Sequence, residues 1–195
     1  ARAAILAATA VGSRVVAGAV YHEGMANITA TDIAFATRLG YVIKLLAIAE
    51  QVPDPDPDKA TGDTRPSVAV RVHPAMVPLD HPLAGVRESF NAVFVEGAAV
   101  GSLMFYGRGA GGLPTASAVL GDVIDAAVNL SNCTHGTIGS FGRAHIRAID
   151  ETSAEYLLSL DVLDRPGVLH AVTGVLARPG VSIGAAAPEG TGPAA

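Results

Sequence analysis

Between residues 29 and 49 the apolar positions change period, and with it the element they predict. Thr29-Ala30-Thr31-Asp32 places a hydroxyl three residues ahead of an acid, a capping box with Asp in place of Glu. The helix it opens carries Ile33, Phe35 and Leu39, and Gly40 stops it. YVIKLLAIA, residues 41–49, is almost unbroken in apolar residues and predicts a largely buried strand. Val68, Val70 and Val72 then alternate with Arg71 and His73, predicting a strand over 68–77 with the valines on one face.

Residues 2–17 read as an alanine-rich helix offering Ile5, Leu6 and Val15 for packing, and 21–27 as a connection centred on His22-Glu23-Gly24. Asp80-His81-Pro82-Leu83 predicts an N-cap and a short helix with proline early in it. Short strands follow at 90–95 and 103–106, joined through Glu96-Gly97-Ala98-Ala99. From Thr115 to Leu130, Ala116, Val119, Leu120, Val123, Ile124 and Ala127 recur at helical spacing, with Asp122 and Asp125 on the opposite side. Past a Gly/Ser/Thr-rich stretch come a strand over 156–162, a turn at Asp164-Arg165-Pro166-Gly167, a helix over 168–177, and the start of a strand at 181–183.

This order predicts an α+β fold, helices with a mostly antiparallel sheet, followed by a partial βαβ unit. The expected boundaries are a first domain at 1–130, a linker at 131–153, a small second unit at 154–184 and a disordered tail at 185–195. PDPDPDKATGDTRP, residues 53–66, is expected to be an exposed loop, because proline removes backbone donors and the aspartates solvate independently rather than gathering a metal.

Half the residues are apolar and 16% charged, which calls for a packed core. A net charge of −5 without Lys/Arg clusters excludes a nucleic-acid surface. No wholly apolar run reaches the roughly 18 residues needed to cross a bilayer, and the opening stretch, interrupted by Arg2 and Arg14, lacks the build of a secretory signal, so no membrane partner is expected. A single cysteine, Cys133, excludes an internal disulfide and fits a reducing, cytoplasmic setting; with no base beside it, it reads as an ordinary thiol. His73, Asp80 and His81 match no ligand spacing, so no metal is expected. The chain lacks an initiator methionine and opens within a helical pattern, and is therefore expected to be a piece of a longer protein.

The stretch FYGRGAGGLPTASAVLGD, residues 105–122, contains Gly107-x-Gly109-x-x-Gly112, the spacing of a dinucleotide fingerprint. A strand before it and a helix after it are both predicted. The second strand, ending in an acid about 20 residues on to hold the ribose, is missing, and Pro114 removes an amide where phosphate-facing donors are wanted. Two readings remain: a structural glycine turn, and a loop that meets a cofactor held mainly by another domain.

Residues 20–50 (VYHEGMANITATDIAFATRLGYVIKLLAIAE), residues 70–101 (VRVHPAMVPLDHPLAGVRESFNAVFVEGAAVG) and the glycine stretch, in that order, resemble homoserine dehydrogenase. The resemblance covers residues 1–128, and YLLSLDVLDRPGVLHAVTGVLARPGVSI further on resembles the first half of an ACT amino-acid-sensing domain. It implies interconversion of L-homoserine and L-aspartate 4-semialdehyde with NADP or NAD, the branch point toward threonine, methionine and isoleucine. It also implies a Rossmann domain ahead of a catalytic α+β region whose glycine loop folds back against it, and a homo-oligomer.

By the same resemblance Gly111 approaches the cofactor, with Gly109 and Thr115 beside it. The family's catalytic lysine precedes a stretch like Ala3-Ala4-Ile5-Leu6-Ala7, and Arg2 stands there instead. Arginine steadies an oxyanion but is a poor proton donor near neutrality. Asp164 and Gly167 fall where ACT domains hold an effector, threonine being the expected one, although this chain lacks the second half of that fold. Little or no turnover is expected of this chain alone. The alternative is a non-catalytic amino-acid-binding or dimerisation module.

Overall fold

The computed structural model describes residues 2–52, 67–135, 141–163 and 165–186. Helix α1 (Arg2–Val11), a two-residue strand β1 (Ser13–Arg14) and another, β2 (Tyr21–His22), lead into helix α2 (Ala30–Arg38). The long strands β3 (Tyr41–Val52) and β4 (Ser67–Pro78) follow, then strands β5 (Phe90–Gly97) and β6 (Gly101–Arg108) and helix α3 (Gly112–Ser131). Short strands β7 (Gly142–Arg143) and β8 (His145–Arg147) and helix α4 (Val168–Ala177) complete the order. The architecture is α+β. The backbone divides after Ser153 into two units.

In the first unit β4 is central. It runs antiparallel to β3 along its whole length, from Val52↔Ser67 to Tyr41↔Pro78. Its other edge is shared by β2 and β8, both parallel to it. The sheet is thus mixed, antiparallel over its long pairing and parallel only at short edge segments. Val68, wholly buried, and Val70 meet Ala3, Ala4 and Ala7 of α1, with Val20 closing the layer. Enclosing a valine in this way is worth about 2 kcal/mol.

Several expectations change here. The first helix stops at Val11 because Ser13 and Arg14 are drawn off to pair with β7. Its alanines face the sheet, where small side chains permit close approach, while Ile5 and Leu6 are 66% and 51% exposed. The connection at 21–27 begins as a strand, with the Glu23 amide donating to Val72 O at 2.7 Å. β3 is an edge strand and only half-buried, with Leu45 exposed. The expected capping box forms as read: Thr29 Oγ1 accepts from the Asp32 amide and the Asp32 carboxylate accepts from the Thr29 amide. The Thr29 amide first, and second the Thr29 hydroxyl, which also donates to that carboxylate, hold the Asp32 carboxyl below the usual carboxylate range.

Asp80 is not the cap of the next turn. His81 is, its Nδ1 accepting from the Leu83 amide at 3.1 Å ahead of a 3-10 turn at Pro82–Gly85. β5 and β6 form a separate hairpin in register Phe90↔Arg108 to Gly97↔Gly101. Helix α3 starts three residues before Thr115 and buries none of its side chains. By length and composition alone it could span a membrane, although Asp122 and Asp125 interrupt it.

Among the described residues of the second unit only α4 forms. The strands expected at 156–162 and 181–183 are absent, because a strand needs a ladder partner and the described residues of this unit supply none. The loop at 53–66, Asp164, part of the linker and residues 187–195 of the expected tail lie outside the described residues.

Candidate glycine-turn site

Arg108 ends β6, and the Gly109 amide turns back to Ser89 O at 3.5 Å. Of the glycines in the fingerprint spacing, Gly107 and Gly112 have open space where a Cβ would be. The constrained glycines of the turn are Gly109, within that spacing, and Gly111, outside it. A Cβ on Gly109 would lie 1.4 Å from Asn91 Nδ2. Gly111, the N-cap of α3, has φ 127° and ψ 151°, a region that only glycine occupies without strain.

The first ladder bond of α3 runs from the Thr115 amide to Gly111 O at 3.1 Å. The amides of Gly112 and Leu113 therefore precede any intrahelical acceptor, and Pro114 has none. No side chain caps this end and no acid stands in the first turn. The donor set, backbone N–H groups and the Thr115 hydroxyl without a carboxylate, suits an anionic group such as a dinucleotide phosphate. The preceding strand is part of an antiparallel hairpin and not of a parallel βαβ unit, so the turn is at most one wall of such a site.

Residues singled out from the sequence are not all gathered here. Arg2 is exposed at the head of α1, which packs on β3 and β4. Gly167, at φ 89°, is the N-cap of α4, and the Ala171 amide donates to its carbonyl. Asp164 lies outside the described residues. His22 has Nδ1 3.4 Å from Val20 O, Glu23 accepts from the Tyr21 hydroxyl, and His73 Nδ1 lies 2.8 Å from Pro74 O. Among the described residues no three His, Cys, Asp or Glu side chains could share a metal ion.

Two features escaped the sequence pattern. Arg71 belongs to the polar set of β4 yet is buried, donating from Nη1 to Glu50 Oε1 at 2.6 Å. Arg108 lies over the ring of Phe90, its Cζ 4.8 Å from the centroid, and Phe90 stacks on Tyr106 at 4.8 Å and 6°. Only the strand register, with Phe90 opposite Arg108, brings these groups together.

A family model for homoserine dehydrogenase matches residues 1–124. The chain belongs to the homoserine dehydrogenase family. It is 46% identical over 186 residues to a homoserine dehydrogenase of Corynebacterium glutamicum, covering 93% of this chain and 40% of that protein. It is 44% identical over 191 residues to one of Mycobacterium tuberculosis, covering 97% and 42%. The crystal structure of a homoserine dehydrogenase from Thiobacillus denitrificans superposes with a TM-score of 0.71 at 32% identity, over 94% of this chain and 41% of that one. These relatives are bacterial and named as dehydrogenases, so the family is one of oxidoreductases. The chain spans about two-fifths of their length.

Proposed function

We propose that this chain provides the catalytic region of a homoserine dehydrogenase, interconverting L-homoserine and L-aspartate 4-semialdehyde with NADP or NAD in the route to threonine, methionine and isoleucine. The observation that carries this reading is 46% identity to a homoserine dehydrogenase across 93% of the chain. In a cytoplasmic setting, the glycine turn forms one wall of the cofactor site. Gly111 and Gly109 let the backbone come close to the dinucleotide, and Thr115 offers its hydroxyl from the first turn of α3.

When bound, the nicotinamide supplies or accepts the hydride. Arg2 stands at the family's lysine position and steadies the substrate oxygen as charge develops there, but gives up a proton poorly. The reaction needs the parts of the family protein that lie beyond this two-fifths, so this chain alone turns over slowly or not at all. Exposed apolar side chains on α3 and β6, such as Leu120, Val123 and Phe105, favour association with further protein, in keeping with a homo-oligomer. That same exposure supports the second reading, a non-catalytic dimerisation or amino-acid-binding module. Gly167 and Asp164 are the residues we assign to a threonine effector.

Calorimetric titration with NADPH tests the cofactor wall. Saturable binding, weakened by Gly111→Ala and by Thr115→Val, is expected, and a titration that never saturates refutes it. An assay of homoserine oxidation is expected to show little turnover. A rate comparable to that of the C. glutamicum enzyme would overturn the dependence on further parts and the handicap assigned to Arg2.

A further inference from the structure

We propose, resting on the reading of the glycine turn as one wall of a dinucleotide site, that Arg108 is a phosphate-binding residue that grips the cofactor's phosphate oxygens. Arg108 is the last residue of β6, immediately before Gly109. Its partner across the hairpin is Phe90, and its guanidinium lies 4.8 Å above that ring. The other layer of the stack is Tyr106, nearly parallel to Phe90. A guanidinium laid on an aromatic face keeps its N–H donors in its own plane, free to form a fork on two oxygens. The stack therefore orients the group and leaves its hydrogen-bonding capacity unspent.

Among the described residues nothing takes up that capacity. Arg71 pairs with Glu50 and Arg147 with Glu151, whereas Arg108, among the described residues, has the ring contact alone. This occurs in a chain of net charge −5, where acids outnumber cations. Arg108 is three residues ahead of Gly111, the uncapped positive end of a 20-residue helix with no acid in its first turn. The free amides of that first turn favour an oxyanion, and one that also met the Arg108 fork would satisfy both sets of donors.

The test is calorimetric titration of the full chain with inorganic pyrophosphate and, separately, with NADPH. It compares the unaltered chain with Arg108→Gln and Arg108→Lys, after melting curves establish that each variant folds. Saturable pyrophosphate binding is expected, about tenfold weaker in Arg108→Gln and partly restored in Arg108→Lys. Should Arg108→Gln not fold, Phe90→Leu replaces it, keeping the cation but removing its platform, and is expected to weaken binding in the same direction. Pyrophosphate affinity unchanged within about twofold in the altered chain, or no saturable binding by the unaltered one, overturns the proposal. NADPH binding that is lost in Gly111→Ala but kept in Arg108→Gln would remove Arg108 and leave the cofactor wall standing. Arg108-dependent pyrophosphate binding with which NADPH does not compete would instead remove the dinucleotide reading.

Discussion

Asn91 lies over Gly109 so closely that its Nδ2 occupies the place of a Cβ, 1.4 Å from where that atom would be. Asn91 sits on β5 and Gly109 just beyond β6, so this contact helps join the end of the hairpin to the turn that starts α3. Gly109→Ala forces the Asn91 side chain aside at a cost of about 1 kcal/mol. In an Asn91→Ala background, where nothing beyond Cβ remains to collide, that cost is expected to fall sharply. Equal costs in both backgrounds, measured by denaturant titration, would mean the contact does not constrain the turn.

Gly111→Ala is expected to destabilise the first unit by about 2 kcal/mol, because a φ of 127° is strained for any L side chain. A Cβ there would also come within 3.3 Å of Pro114 Cδ. Gly112→Ala, one residue on and with open space around its Cβ position, should change stability by less than about 0.5 kcal/mol. The comparison separates backbone demand from mere glycine content. Similar losses at the two positions would contradict it.

Arg71 keeps its guanidinium out of water, and among the described residues it has one side-chain bond, to Glu50, and no partner for its Nε. Removing the carboxylate by Glu50→Ala leaves that charge buried without its counterpart and is expected to cost about 3 kcal/mol. Arg71→Met combined with Glu50→Leu removes both charges and should recover most of the loss. A double variant no more stable than Glu50→Ala would show that the pair matters for something other than charge compensation.

Asp32 supplies a pH dependence of known sign. Its folded pKa is depressed by bonds from the Thr29 amide and hydroxyl. The stabilisation is therefore present above the usual carboxylate range and is lost as pH falls through the lower folded value. In Asp32→Asn this acid-dependent portion should disappear while stability at neutral pH falls modestly. Acid-denaturation curves of the same steepness for both proteins would remove Asp32 as a contributor.

How much was legible differed by element. The Thr29–Asp32 capping box, α4 and the two long strands were plain in the sequence, because caps and periodicity act within a few residues of one another. The end of α1 at Val11 was not, since the pairing of Ser13 with Gly142 decides it. The expected strand over 156–162 carried a strand-like pattern but found no ladder among the described residues. At the candidate site the family motif pointed to Gly109, Gly111 and Thr115 together. It could not say that Asn91 explains one glycine and backbone conformation the other.

The sequence by itself determined the α+β class, the family, and the local signals that start α2, all of which are carried by residue order. Only the tertiary structure decided that alanines rather than Ile5 and Leu6 face the core, that Arg71 is buried against Glu50, and that Arg108 lies on Phe90. Those outcomes depend on strand register and on which face another element covers, and both join residues far apart in the chain.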